Sequence, residues 1–405
     1  MKSTTSQLDG QGILDLGLPE IDAPAELAWP ATGELAPGLG PLPAASLDGF
    51  ATSLFVQAYA DEMRDAARLV EYTRVGAVYT IRRGRTLSHL HQAIAAVDVT
   101  QRRTRSSTIL IDRNLYSGRN RKQAVDGLDR QWVDQQFNIL RLPWAMTDSG
   151  FIATMADLTR VLHDAETMNE RVIVALPMAH ELIRDNASDV ADQVRQQGHP
   201  VAVMLGHAAD PFDEPAVPTG MVHLIREADR PVLQLRCDTS AVGLISHGAV
   251  VGAVGTHSGL RHIYPVTKRK GRGPFGEELA FVIPEFLGYY RQKRFEPAYL
   301  RDPGQHVWWC PCFFCASRDL TWIGNQPKEL KFRAAFQHSV AALARIGGEL
   351  ELAGARIGRP QAWASMCGTA IRTLSAAENP SGSSWEPKPA LRNWSTLLPT
   401  KTLSQ

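Results

Sequence analysis

Three thiols lie within six residues, in the run Cys310-Pro311-Cys312-Phe313-Phe314-Cys315, and no other stretch concentrates metal-ligating chemistry so densely. Thiolates at C-x-C-x-x-C spacing can converge on one tetrahedral ion across a tight turn, and soft sulfur donors suit Zn²⁺. The fourth ligand expected is His338, 23 positions beyond Cys315 in a run that reads as helix over 332–346. His306 is the rival, but it sits in a Pro/Gly-rich approach, whereas a His from a following helix clamps that helix to the loop. Four protein ligands leave no open position, so the expected ion is structural. Cys237 and Cys367 stand alone and read as small core residues. Five cysteines, an odd count, do not make a disulfide scaffold.

Carboxylates that follow short apolar runs form a second set of candidates. Thr108-Ile109-Leu110-Ile111 is followed by Asp112, Ala145-Met146 leads into Thr147-Asp148-Ser149-Gly150-Phe151, and Leu235-Arg236-Cys237 delivers Asp238. Glycosyl transfer needs such groups to stabilise a developing oxocarbenium charge and to move protons. The same placement suits a helix N-cap, so Asp148-Ser149 and Asp238-Thr239 also have a purely structural reading. After the last apolar run comes Gly255-Thr256-His257-Ser258-Gly259, whose small residues and hydroxyls read as an anion cradle, with Arg261 and His262 one turn along. The basic run Lys268-Arg269-Lys270-Gly271-Arg272 follows, then Arg291, Lys293 and Arg294. With Tyr289, Tyr290, Trp308 and Trp309 available for stacking, this stripe suits a nucleic-acid backbone, and Lys268 and Arg269 are its leading phosphate contacts.

The elements that must position these residues are short apolar runs alternating with helical stretches. Strands are expected at 77–81, 108–111, 137–142, 172–176, 201–205, 232–235 and 250–254, with a weaker one at 281–283. Helices are expected over 151–166, where Ile152, Met155, Leu158 and Leu162 fall on one face, and over 180–197. The strands are almost wholly apolar rather than alternating, the mark of a parallel sheet buried on both faces. Seven or eight such units over about 250 residues suit a (β/α)8 TIM-type barrel. No G-x-G-x-x-G follows the first strand, which counts against a dinucleotide-binding sheet. The expected organisation is a disordered arm over 1–48, the barrel over 49–304, a zinc subdomain with a closing helix over 305–372, and a flexible tail over 373–405.

In 405 residues, Lys and Arg number 43 against 42 Asp and Glu. A net charge of +1 provides no global attraction to nucleic acid, so such binding must rest on the local basic stripe. No apolar run is long enough for a membrane span, and no apolar stretch follows Lys2, so neither membrane association nor a secretory signal is expected. The expected location is the cytoplasm.

The C-x-C-x-x-C followed by a His on a helix resembles the zinc motif of the tRNA-guanine transglycosylases, the queuine or archaeosine tRNA-ribosyltransferases, and of their DNA-modifying relatives. The order of barrel-like units, cysteines, His and helix is similar to theirs over about 75–350. Thr147-Asp148-Ser149-Gly150-Phe151 is similar to that family's T-D-S-G-G-F segment, one Gly short, although Asp112 with Ser117-Gly118 lies nearer the family position. The resemblance implies exchange of guanine for a 7-deazapurine in tRNA or DNA through a covalent glycosyl-enzyme intermediate, with structural Zn²⁺ as the cofactor. It implies catalytic roles for Asp112 and Asp148. The family's late-strand nucleophile has no counterpart, because residues 250–285 contain no Asp, and Asp238 is the nearest substitute. Expected partners are nucleic acid and a purine or 7-deazapurine base, with a homodimer or a partner subunit compatible with the sequence. Two other readings remain open: a non-catalytic nucleic-acid-binding member of the same fold, and an unrelated barrel enzyme acting on a phosphorylated small molecule.

Overall fold

The computed structural model describes residues 47–104, 108–266, 278–377 and 385–397. Eight parallel strands make one sheet: β1 (Leu54–Tyr59), β2 (Gly76–Thr80), β3 (Ile109–Asp112), β4 (Ala145–Met146), β5 (Val172–Ala179), β6 (Val201–Gly206), β7 (Val232–Cys237) and β8 (Val251–Gly255). Their order is β3-β2-β1-β8-β7-β6-β5-β4, so the first strand pairs with the last and the sheet curls into a nearly closed barrel. Helices follow the first seven strands in turn: α1 (Met63–Thr73), α2 (His89–Thr104), α3 (Arg130–Asn138), α4 (Met155–Ala165), α5 (His180–Gln197), α6 (Ala216–Glu227) and α7 (Ser240–Ser246). This is the (β/α)8 architecture. One set of strand side chains, including Phe55, Val78, Leu110, Met204 and Leu233, fills the barrel interior, and the alternate set packs outward against the helices. Both faces are therefore dry, which is why the strands read as continuous apolar runs.

The one place without a ladder is between β3 and β4. Residues 137–142, expected as a strand, are instead the end of α3 and the loop after it. Asp129 caps that helix by accepting the Trp132 N–H, and Gln136, on the buried side, turns its amide onto β4. Its Nε2 donates to the Met146 carbonyl at 2.8 Å and its Oε1 accepts the Met146 N–H at 3.0 Å. Since β4 already pairs with β5 through the flanking residues, one side-chain amide satisfies the groups a β3 neighbour would have taken. β1, unlisted among the expected strands, is interrupted in its apolar run by Gln57, whose side chain points into the mouth.

Beyond the barrel come an antiparallel hairpin, β9 (Ala280–Ile283) and β10 (Gly288–Arg291), and α8 (Gln292–Arg301). Thus the weak strand expected at 281–283 exists but lies outside the barrel. A second small hairpin, β11 (Trp309–Cys310) and β12 (Arg318–Asp319), precedes α9 (Thr321–Gly324) and the 30-residue α10 (Lys328–Ile357). α10 packs against α1 and β9, and an Arg333–Asp65 ion pair at 2.6 Å ties it to the barrel. It continues into α11 (Arg359–Ala376), and α12 (Pro389–Thr396) follows.

The end of the chain departs from the expected flexible tail. α11 crosses the boundary at 372, and residues 385–397 are docked. Trp385 and Trp394 are fully buried, the Trp394 indole N–H donates to Ser240 Oγ at 2.9 Å, and Asn393 donates to the Phe212 carbonyl. Two indoles bury enough apolar area to hold a short helix that would not form alone. Residues 1–46 of the expected arm lie outside the described residues. Among the described residues, no helix is long and apolar enough to cross a membrane.

Candidate functional site

The β11–β12 turn brings the three thiols together. Ala316 and Ser317 both take left-handed backbone, their N–H groups returning to the carbonyls of Cys312 (2.8 Å) and Cys310 (3.1 Å). α10 delivers His338, and the ligand atoms of Cys310, Cys312, Cys315 and His338 all lie within 4.8 Å of one another, fully enclosed. His338 Nε2 donates to the Val282 carbonyl at 2.7 Å, which leaves Nδ1 as a lone pair 3.1 Å from Cys315 Sγ. Fixing the tautomer from behind is what a metal-binding imidazole requires. Trp322 Nε1–H donates to Cys315 Sγ at 3.2 Å, a hydrogen bond that suits a thiolate. The four residues thus fit a tetrahedral ion, with His338 and not His306 as the fourth. The cluster is a closed one, away from the barrel mouth.

Asp112, at the end of β3, belongs to a buried polar layer that caps the barrel interior. Its Oδ2 accepts from Gln57 Nε2 (3.1 Å), Thr80 Oγ1 (3.0 Å) and the Tyr116 hydroxyl (2.8 Å), and its Oδ1 accepts the Asn114 N–H (2.8 Å). Gln57, Thr80 and Asp112 each lie two residues past an interior apolar side chain, so strand alternation brings all three inward. Arg236 joins them by a different device. The β7–β8 register slips between Gln234 and Cys237, and Arg236 sits at φ 49°, so a bulge turns its side chain into the layer. Its guanidinium lies 3.5 Å from Asp112 and donates to Asn114, and Gln57 accepts its backbone N–H at 2.7 Å. Tyr59, Asn114, Arg119, Arg236 and Tyr264 line a cavity of about 370 Å³ above this layer.

Asp148 is equally saturated. Arg113 (2.9 Å) and Lys122 (2.8 Å) both pair with Oδ2, while Oδ1 accepts the Asp129 N–H at 2.8 Å. Arg113 follows β3 and Asp148 follows β4, so this cluster bridges the seam that the backbone leaves open. Asp238, past β7, accepts the Thr239 N–H at 2.7 Å and pairs with Lys388 of the docked C-terminal segment at 2.8 Å. Asp210, which caps the turn at Pro211–Asp213, is pushed up to about 7 by burial and then by the charge of Asp238. Among the described residues no hydrogen bond or ion pair joins any two of the three sequence-predicted carboxylates. Arg113, next to Asp112 in the chain, is the group on Asp148.

The residues after β8 turn back onto β1 and the turn that follows it. The Thr256 hydroxyl donates to the Gln57 carbonyl at 3.0 Å, and His257 hydrogen-bonds Glu62. Ser258 starts a single 3-10 turn, Ser258–Leu260. Arg261 lies flat on Tyr289, 3.4 Å from the ring centre, with its Nε donating to the Gly255 carbonyl. Burial pushes His262 down to about 4, so it is neutral at physiological pH. Lys268 and Arg269 lie outside the described residues.

A cluster that sequence reading passed over sits across the mouth. His180 directly follows β5 and His207 directly follows β6; Glu214 approaches both from the turn before α6. His180 Nε2 is 3.1 Å and His207 Nε2 3.4 Å from Glu214 Oε1, while Arg184 holds Oε2 at 3.3 Å. They border a cavity of about 560 Å³, also lined by Arg121 and Phe151. The signal was available: two histidines, each the first residue after an apolar strand, on neighbouring strands of a barrel.

No family model matches this chain, and no curated protein matches it. Among solved structures the chain is similar to the YdjI aldolase from Escherichia coli K12, at 10% identity and a TM-score of 0.36, over 76% of this chain and 91% of that one. It is also similar to a thiamine phosphate pyrophosphorylase from Pyrococcus furiosus, at 12% identity and a TM-score of 0.30, over 50% of this chain and 85% of that one. A third likeness is to the 3-dehydroquinate dehydratase from Aquifex aeolicus VF5, at 8% identity and a TM-score of 0.33, over 51% and 90%. At such scores these likenesses add nothing to what the strand order already shows.

Proposed function

We propose that the protein is a barrel enzyme that takes a small phosphorylated substrate at the C-terminal mouth of its strands. One observation carries this reading. Arg121 is half-buried on the rim of the larger cavity, its guanidinium stacked 3.6 Å over Phe151, and among the described residues no carboxylate pairs with it. Burial pulls its pKa down, the sign of a cation lacking a counter-charge. Desolvating a charge without a partner is costly, and a bound phosphate would supply the partner. Arg119 faces the adjoining cavity, and the two cavities share Pro265 and Val266. Across from Arg121, His180 and Glu214 line the same cavity. Arg121→Ala should weaken binding of a phosphate monoester about 10- to 100-fold, the worth of hydrogen bonds to a charged group. Calorimetry with inorganic phosphate and sugar phosphates reads this directly, and unchanged binding in the variant overturns it. In the same reading the Cys310/Cys312/Cys315/His338 cluster holds a structural Zn²⁺, supported by its three sulfur donors and closed geometry. Bound there, the ion would cross-link the β11–β12 turn to α10.

A second reading, base exchange in tRNA or DNA, is favoured by the Cys3His cluster itself, which assembles around His338 as the resemblance to the transglycosylases implies. Asp112 and Asp148 are then framework groups. Asp238 is the nucleophile, kept ionised by Lys388 despite the burial that would raise it. Incubation with tRNA or duplex DNA carrying labelled guanine should release label and leave a denaturation-resistant adduct, lost in Asp238→Asn. Charge reversal at Lys268 and Arg269 should flatten the salt dependence of nucleic-acid binding. Absence of binding at low salt sinks this reading.

A further inference from the structure

We propose that His180, His207 and Glu214 form an open divalent-cation site at the barrel mouth, separate from the sulfur cluster. The three donor atoms lie within 4.8 Å of one another. The two nitrogen-to-oxygen separations, 3.1 and 3.4 Å, match those of ligands that share an ion. Metal–ligand bonds of about 2.1 Å place adjacent donors about 3.0 Å apart in an octahedron and about 3.4 Å apart in a tetrahedron.

The surroundings prepare two of the three donors. His180 Nδ1 lies 3.0 Å from the Gly206 carbonyl and 3.0 Å from Glu181 Oε2, both acceptors, so its proton is on Nδ1 and Nε2 presents a lone pair. That lone pair faces a carboxylate oxygen, an arrangement relieved by a proton or a cation between them. Arg184 holds the other oxygen of Glu214 and so aims Oε1 at the imidazoles. His207 is less prepared. Its Nδ1 accepts the Ala209 N–H at 3.1 Å, so without metal its proton is on Nε2, which lies 3.4 Å from Glu214 Oε1. Metal capture moves that proton to Nδ1, and the exposed Ala208–Ala209 turn must release its hydrogen bond.

Three protein donors leave coordination positions open toward the 560 Å³ cavity, unlike the closed sulfur cluster. Two imidazoles and a carboxylate suit borderline ions such as Zn²⁺ or Co²⁺ over Mg²⁺ or Ca²⁺. The inference rests on donor geometry alone, so its failure leaves the phosphorylated-substrate reading standing.

Equilibrium dialysis of the full chain against Zn²⁺ should show about two bound ions per wild-type chain, one from each cluster. His207→Gln and Glu214→Gln should each retain only the sulfur-bound ion, whose presence certifies that the variant is folded. In the Co²⁺-loaded protein, both variants should keep the thiolate-to-metal absorption in the near ultraviolet and lose part of the visible ligand-field bands. A wild-type chain that binds a single ion, or a second ion that survives both substitutions, overturns the proposal.

Discussion

Over β1, β2, β3 and β7, both carboxylate oxygens of Asp112 are hydrogen-bonded inside the protein, whereas over β5 and β6 Glu214 and two imidazoles border an open cavity. The first region is built like a core that happens to be polar: Gln57, Thr80, Asp112 and Arg236 are each less than 5% exposed. In the second, His180 is buried but His207 and Glu214 are only partly covered. A carboxylate at a barrel strand end is therefore not by itself a catalytic group. A closed polar core marks the framework; partial exposure beside a cavity marks where a ligand can still enter.

Substitutions that break each region should sharpen this contrast. The largest loss is expected for Asp112→Leu, which strands the buried Arg236 guanidinium without its counter-charge. Chemical denaturation should show a cost of about 3–5 kcal/mol. Asp148→Asn should cost less, about 2 kcal/mol, because Arg113 and Lys122 can still reach solvent. Its effect should be local, with hydrogen exchange accelerating in β3 and β4 on either side of the open seam.

Asp210 gives a smaller, pH-dependent effect. Its carboxyl, pushed up to about 7 mainly by burial, keeps a proton in the fold that it loses in the unfolded chain. Its contribution to stability is complete below about pH 4 and fades as pH rises toward 7. Thermal melts of Asp210→Asn should show a flatter pH dependence across that window than wild type. The smallest stability change belongs to Glu214→Gln, within about 0.5 kcal/mol as for other partly exposed positions. An effect there as large as that at Asp112 would erase the distinction between framework and site.

Some of this molecule was legible in its sequence because the relevant signals are local or periodic. C-x-C-x-x-C places three donors on one turn whatever else the chain does, and a helix bearing His338 then supplies the fourth. The apolar strands specified a parallel sheet buried on both faces, and α5 runs over the expected residues, His180–Gln197. What only tertiary structure decided is which side chains meet across the mouth. Arg236 reaches Asn114 from 122 residues away, Lys388 reaches Asp238 from 150, and Gln136 occupies the β4 edge that a neighbouring strand would have taken. Whether an Asp at a strand end is saturated or open depends on those distant partners. Sequence spacing does not encode them, because barrel closure, not chain proximity, brings the strand ends to one face.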